Sequence, residues 1–223
     1  MITVQDVFRK FLPDYLKKHK MSNDQAKAAY NIMRCKTIDM GANTYSCEEC
    51  GHTEIHYNSC RNRHCPQCQQ VNNAVWVDKR RQDVINAPYF HLVCTIPKLL
   101  HTIILQNKKL LYNLMYKAVA ETISELAADE KYLGAQVGFF CVLHTWGQDL
   151  NFHPHIHTVV MAGGLNKLNK WRESSKKFFI PVRIISSKLR GKFLYYLTMY
   201  YKKDLIKFMV LLKIIQSLRL LKN

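Results

Sequence analysis

The sequence predicts an α+β fold in which a small cysteine-rich module precedes an antiparallel sheet flanked by helices. Six of the eight cysteines fall between Cys35 and Cys68, in a polar, turn-rich stretch with little hydrophobic periodicity. Apolar residues at helical spacing occur on both sides of this stretch. Further along the chain, three short runs rich in aromatic and β-branched residues are typical of strands: 89–96, 137–146 and 153–161.

These patterns divide the chain into three parts. We expect N-terminal helices and the cysteine module over residues 1–86, the sheet core over 87–208, and a divergent basic and apolar tail over 209–223. The last two strand-like runs are joined by GQDLNF, a turn-forming segment, so the simplest arrangement for them is an antiparallel pair.

The chain is strongly basic, with a formal net charge of +17. Residues 166–223 hold fifteen Lys or Arg and two acidic residues, which gives +13 in that part alone. Such an excess favours a polyanionic partner, with nucleic acid first and an anionic membrane surface second. No apolar run reaches the roughly 18 residues of a membrane-spanning helix, and the N-terminus lacks the pattern of a secretory signal. We therefore expect a cytoplasmic protein.

The cysteine spacing predicts a structural metal site. Cys47-x-x-Cys50 and Cys65-x-x-Cys68 form two pairs separated by fourteen residues. A two-residue spacing lets both sulfurs of a pair reach one ion, and two pairs complete the tetrahedral thiolate shell that structural Zn²⁺ prefers. A second ion or alternative ligands stay possible from the remaining cysteines and histidines of the module: Cys35, Cys60, His52, His56 and His64.

A second metal site is predicted in the sheet core. His153, His155 and His157 alternate along one strand, so their side chains project from the same face. If the hairpin turn is centred near residues 149 and 150, His144 on the partner strand lies opposite His155. Imidazole is the commonest transition-metal ligand. This set is incomplete, so it should keep open positions at which an ion can polarise a phosphate oxygen.

Basic side chains supply candidates for contact with nucleic-acid phosphates, although a solvated charged surface explains them as well. Two lie just after Cys60 in the cysteine module, three lie near the end of a helix predicted at about 71–85, and three lie in the basic C-terminal region. These residues are Arg61, Arg63, Lys79, Arg80, Arg81, Lys188, Arg190 and Lys192.

Four segments, in this order and spacing, resemble a known family. They are CRNRHCPQCQ at 60–69, YFHLVCTIP at 89–97, VLHTWGQDLNFHPHIHTVVMAGG at 142–164 and FFIPVRIISSKLRGKFL at 178–194. The chain resembles the transposases of rolling-circle insertion sequences, in the HUH (His, hydrophobic, His) endonuclease superfamily. The similarity extends to about residue 208.

The resemblance implies a zinc-binding N-terminal domain and an HUH nuclease-like core with a five-stranded antiparallel sheet. By position, His155 and His157 match the signature pair, with Ile156 between them. Mg²⁺ or Mn²⁺ would orient a phosphate of single-stranded or hairpin DNA at the element ends. A tyrosine would then attack, which leaves a 5′-phosphotyrosyl link and a free 3′-OH. A nucleoid-associated protein and a homo-oligomer are compatible with this function.

The sequence departs from the family pattern at its C-terminal end. The paired tyrosines of the family lie on a helix beyond the segment that matches RGKF, and we expect a truncated copy that is catalytically incomplete. Tyr196 and Tyr200, four residues apart on a predicted helix, are the candidate nucleophiles, with an aromatic packing face as the alternative. Two other functions stay open: a non-enzymatic zinc-dependent DNA-binding protein, and a hydrolase that activates water at the histidines.

Overall fold

The chain divides into two units, Met1–Ile85 and Asn86–Asn223. The computed structural model describes residues 2–174 and 180–207, so the tail expected over 209–223 lies outside the described residues. Each unit combines helices with an antiparallel sheet, which confirms the predicted α+β class. No helix in the described ranges combines the length and hydrophobicity that a membrane-spanning segment needs.

The N-terminal unit contains three helices and a two-stranded antiparallel sheet. In chain order these are α1 (Val4–Lys18), α2 (Asn23–Arg34), β1 (Ala42–Ser46), β2 (Thr53–Tyr57) and α3 (Pro66–Gln82). Helix α2 begins with a capping box, because Gln25 N donates to Ser22 Oγ and Ser22 N donates to Gln25 Oε1. Both strands are exposed along their whole length. The unit therefore has little apolar core of its own.

The second unit is built around a four-stranded antiparallel sheet. Its elements are β3 (Tyr89–Thr95), α4 (His101–Gln106), α5 (Lys108–Ala128), β4 (Gln136–Trp146), β5 (Phe152–Leu165), β6 (Trp171–Glu173) and α6 (Val182–Lys202). Strand β5 lies between β3 and β4, and the short β6 pairs with its far end. All three predicted strands are present, while the described residues form four strands where the family resemblance implies five.

The three helices of this unit cover one face of the sheet. Ile156 and Val160 of β5 are fully buried against them, and Leu111 and Leu114 of α5 belong to the same core. Because side chains alternate along a strand, the odd-numbered positions of β5 from His155 onward project from the opposite face. That face carries the histidines.

Candidate metal centres and nucleic-acid interface

A cluster of four cysteines lies in the N-terminal unit. Cys35, Cys60, Cys65 and Cys68 place their sulfur atoms within 4.8 Å of one another. The Cys68 Sγ lies 3.4 Å from that of Cys35 and 3.6 Å from that of Cys60. Sulfurs about 2.3 Å from a tetrahedral Zn²⁺ are roughly 3.8 Å apart, so the cluster has nearly the size of a structural zinc site. All four cysteines are free of disulfides.

Three separate segments bring these thiols together. Cys35 caps the C-terminal end of α2, and Cys60 follows β2. Cys65 is the N-cap residue of α3, and Cys68 lies in the first turn of that helix. Burial raises the pKa of the Cys35 and Cys60 thiols. A cation at the centre of the cluster would offset this effect, because zinc-bound thiols are deprotonated.

The cysteines are grouped in the structure differently from the pairing expected from the sequence. Cys47 and Cys50 lie in a tight turn, in which Gly51 N donates to Cys47 O, and both are exposed on the hairpin between β1 and β2. Backbone N–H groups of Cys50 and Glu49 donate to the Cys47 sulfur and lower its pKa. Cys65 and Cys68 instead cluster with Cys35 and Cys60, whose spacing along the chain is irregular.

A cluster of three histidines lies on the open face of the sheet in the second unit. Ligand atoms of His144, His155 and His157 lie within 4.8 Å of one another. His144 pairs directly with His155 across β4 and β5, as the hairpin predicts, and the turn spans residues 147–151. The Nε2 atoms of His155 and His157 are 3.0 Å apart. Two adjacent ligands of an octahedral ion, each about 2.1 Å from it, are separated by about the same distance.

Hydrogen bonds fix the orientation of these rings. His155 Nδ1 lies 2.7 Å from the carbonyl oxygen of His153, which can only accept, so Nδ1 carries the proton and Nε2 of the neutral ring has a free lone pair. Burial lowers the pKa of His157, and the nearby charges of His144, His155 and His91 lower it further. A neutral ring is the form that binds a metal.

His153 departs from the expectation that it joins the other histidines. The register of β4 and β5 shifts between His144 and Trp146, where β5 holds one extra residue. Such a bulge re-aims the side chains beside it. The His153 ring lies 5.3 Å from the ring of His101, and its carbonyl oxygen supports His155.

The sequence reasoning missed a fourth histidine that contacts the cluster. His91 lies on β3, where it pairs with Val159 and is diagonal to His157. Its Nε2 atom is 2.8 Å from His157 Nδ1, and the two rings are nearly parallel, with centroids 5.0 Å apart. The sequence places His91 on a predicted strand in alternation with Val93, but only the structure shows that this strand pairs with β5.

A wide cleft of about 1220 Å³ opens beside the histidine cluster. Its lining includes His155, His157, Gln148, Lys98 and the ring of Trp146. Small-ligand sites typically measure roughly 300–1,000 Å³, so this cleft has room for part of a polymer. The cleft combines a candidate metal site with a basic and an aromatic side chain.

The basic residues of the cysteine module lie on its surface. Arg61 has a φ of +53° in the loop after Cys60, and Arg63 Nε lies 3.2 Å from His64 Nε2. Both arginines are exposed. Their position next to the cysteine cluster is compatible with the predicted phosphate contact.

The basic run near the end of α3 is partly engaged in ion pairs. Arg80 lies 2.9 Å from Asp83, and Arg81 lies 3.7 Å from Asp78. Lys79 is exposed. These are contacts between neighbouring turns, and exposed pairs of this kind compete only weakly with a polyanion.

Two of the C-terminal basic candidates pack against α5. Lys192 Nζ lies 2.6 Å from Glu125 and 3.1 Å from Glu121, and Lys188 lies 2.9 Å from Glu125. Their charges are therefore neutralised within the protein, which the sequence alone did not indicate. Arg190, on the same helix, is exposed.

The two candidate nucleophiles lie on α6. Tyr196 donates its hydroxyl to the Glu121 carboxylate, and this hydrogen bond raises the pKa of Tyr196. Lys117 lies over the ring of Tyr196, and Tyr200 packs against the apolar core. Neither tyrosine is among the described residues that line the histidine cleft. These contacts favour the packing alternative.

Two family models match the chain in the same order as its two units. Residues 7–96 match the “Transposase zinc-binding domain”, and this range includes all four clustered cysteines. Residues 138–221 match a family described as “Putative transposase”, which includes the histidine cluster. In chain order, these matches give a transposase zinc-binding domain followed by a region of a transposase family.

Curated relatives lead to the same family. The chain is 43% identical over 196 residues to “Putative transposase y4qJ” of Sinorhizobium fredii (strain NBRC 101917 / NGR234). The matched region covers 87% of this chain and 49% of that protein. It is 31% identical over 153 residues to the transposase for insertion sequence element IS801 of Pseudomonas savastanoi pv. phaseolicola, with coverages of 68% and 36%. The chain belongs to this transposase family, which confirms the resemblance. It spans about half the length of the first relative.

Among solved structures, the chain is similar to a conjugative relaxase, TrwC, in complex with oriT DNA. A metal-bound structure gives a TM-score of 0.41 at 14% identity, over 49% of this chain and 42% of the relaxase. A copper-bound structure gives 0.42 at 15% identity, over 54% and 46%. The family assignment depends on the sequence relatives.

Proposed function

We propose that this chain supplies the metal-binding and DNA-binding part of a transposase that nicks and joins single strands for rolling-circle transposition. The observation that carries the proposal is the convergence of His144, His155 and His157 on one point at the edge of a wide cleft. Three imidazoles with ligand atoms within 4.8 Å of one another suit a cation, because neutral imidazole is a common ligand of first-row transition ions. A protein that acts on the chromosome would be nucleoid-associated.

The donor set favours Mn²⁺ over Mg²⁺ as the ion. Mg²⁺ prefers oxygen ligands, whereas imidazole suits first-row transition ions. His144, His155 and His157 would hold three positions and leave the others open. When bound, the ion would orient a DNA phosphate and offset the negative charge that develops on it. The protein's part is to fix the ring orientations, through the His153 carbonyl oxygen for His155.

The cleft fits single-stranded DNA through two further side chains. Trp146 is 52% exposed, and its ring stacks on that of His144 with centroids 5.0 Å apart. Its outer face is thereby available to a base, and base stacking on an aromatic ring is tolerant of sequence. Lys98 lies in the same cleft, where it can contact a phosphate.

In the N-terminal unit we assign the structural zinc to Cys35, Cys60, Cys65 and Cys68. Four thiolates close the coordination shell, so this ion would have no catalytic position. It would hold the end of α2 against the start of α3. The surface beside it, with Arg61 and Arg63, would contribute to DNA binding through phosphate contacts.

The Tyr196 hydroxyl is engaged by Glu121, so a tyrosine nucleophile needs a test of its own, separate from the test of DNA binding. A labelled single-stranded oligonucleotide is incubated with the protein and Mn²⁺ and then run on a denaturing gel. A covalent band that disappears in Tyr196→Phe or Tyr200→Phe would identify the tyrosine. Nicked DNA without attached protein would instead indicate activation of water, and no product would indicate binding alone.

The experiment for the proposed function measures DNA affinity with and without Mn²⁺. We expect the wild-type chain to bind single-stranded DNA more tightly with Mn²⁺, and with steep salt dependence. His157→Ala should lose the Mn²⁺ effect and keep the salt-dependent binding. Equal affinity with and without Mn²⁺ in the wild-type chain would contradict the proposal and favour the zinc-dependent DNA-binding protein without a cation-assisted site.

A further inference from the structure

His91 stands outside the group of three clustered histidines but contacts one of them directly. Its Nε2 atom lies 2.8 Å from His157 Nδ1, the nitrogen of that ring that faces away from His155. The two rings are nearly parallel, at 10°. His91 is therefore placed to hold the far side of a ring whose near side faces the cluster.

The hydrogen bonds of the cluster form a chain with a defined direction. The His153 carbonyl oxygen accepts from His155 Nδ1, so a neutral His155 presents a lone pair at Nε2. His157 Nε2 must then donate across the 3.0 Å separation to His155. Consequently His157 Nδ1 is an acceptor, and His91 Nε2 donates to it.

A cation at the cluster would require the opposite arrangement at two of these rings. His157 Nε2 would need its lone pair for the ion, so its proton would move to Nδ1. His91 Nε2 would then have to accept, with its own proton on Nδ1. Imidazole can serve as donor or acceptor at the same nitrogen, so His91 can support both states without a change in net charge.

We propose that His91 is a positioning residue that orients His157 and stabilises the tautomer in which His157 Nε2 faces the cation. This inference rests on the proposed cation site. Ligand histidines commonly use the second ring nitrogen for such a hydrogen bond, and loss of the partner costs about 10–100-fold in metal affinity. His91 itself does not join the three-histidine group, so its effect acts through His157.

The test measures Mn²⁺ affinity from the free Mn²⁺ signal in electron paramagnetic resonance, with the whole chain loaded with zinc. His91→Met keeps the length of the side chain and leaves only a weak thioether acceptor, so affinity should fall about 10–100-fold. His91→Gln can donate or accept and should recover most of the loss. His91→Lys can only donate, so it should bind no better than His91→Met.

Two controls separate this inference from the proposed function. Val93→Ala changes the residue that pairs directly with His157 and should leave affinity within about threefold, and thermal unfolding without Mn²⁺ verifies that each variant folds. If His91→Met matches the wild-type affinity, or if His91→Lys matches His91→Gln, the role of His91 is overturned while the site stands. If the wild-type chain binds Mn²⁺ no more tightly than His155→Ala does, both the role of His91 and the proposed cation site are overturned.

Discussion

The sulfur atoms of Cys35 and Cys68 lie 3.4 Å apart, although 33 residues separate them in the chain. This contact joins the end of α2 to the first turn of α3. The buried residues around it are few, chiefly Ile32 and Cys65, with Phe8 packed against them. A metal in this position would replace the apolar core that the unit lacks.

Cys35→Ser should lower the zinc content by one ion per chain, whereas Cys47→Ser should leave that ion in place. The physical reason is that Cys35 is a member of the cluster and Cys47 lies on an exposed hairpin. Metal content is measured by elemental analysis after dialysis. The opposite ranking of the two variants would restore the pairing expected from sequence spacing.

Removal of zinc with a strong chelator should unfold the N-terminal unit and leave the second unit folded. The second unit has its own apolar core, with Ile156 and Val160 fully buried, and contains none of the four clustered cysteines. Limited proteolysis should then cleave within residues 1–85 and preserve a fragment that begins near residue 86. An N-terminal unit that resists the protease without zinc would refute this account.

Trp146→Ala should weaken binding of a single-stranded oligonucleotide by about 1–3 kcal/mol, the usual contribution of one stacked base. Trp171→Ala is the matched control, because Trp171 is similarly exposed, at 45%, and lies on β6 away from the cleft lining. Fluorescence anisotropy at fixed salt measures both. Equal losses in the two variants would show that the cleft has no special role.

Lys192→Met should lower the free energy of unfolding by about 0.5–1 kcal/mol at pH 7, since Lys192 bridges Glu121 and Glu125 between α5 and α6. Hydrogen bonds lower the pKa of both carboxyls, chiefly from Tyr196 to Glu121 and from Lys192 to Glu125. Their contribution is thus complete above the ordinary pKa near 4.5 and is lost as pH falls through the lowered values.

Denaturant unfolding from pH 7 to pH 3 measures this effect. The difference between the wild-type chain and Lys192→Met should shrink toward acid pH. Lys188→Met is the control, because Lys188 is more exposed and pairs with Glu125 alone, so it should show a smaller difference. A difference independent of pH would show that Lys192 stabilises α6 by packing of its aliphatic stem.

Local patterns were sufficient to predict β3, β4 and β5 and the histidine hairpin, but not the short strands β1, β2 and β6. Alternation along β5 and a short turn determine which residues of β4 and β5 meet, so His144 could be placed opposite His155 from spacing alone. His153 does not join the histidine cluster, because β5 holds one extra residue beside it. Spacing does not reveal a bulge of this kind, because the alternating pattern continues through it.

Contacts between distant segments could not be predicted in this way. The cysteine cluster depends on how α2 ends relative to β2 and α3, and two regular Cys-x-x-Cys pairs gave a stronger local signal than Cys35 and Cys60. His91 reaches His157 only through the pairing of β3 with β5. Likewise, the partners of Lys192 and Tyr196 lie on α5, more than 60 residues earlier in the chain.

The most direct measurement is a crystal structure of the chain with Mn²⁺, in which anomalous scattering locates the ion. We expect one strong peak on the open face of the sheet, within about 2.1–2.3 Å of a ring nitrogen of His144, His155 and His157. A peak bound elsewhere, or rings that turn away from one another with no ion between them, would contradict the assignment of this face as the cation site.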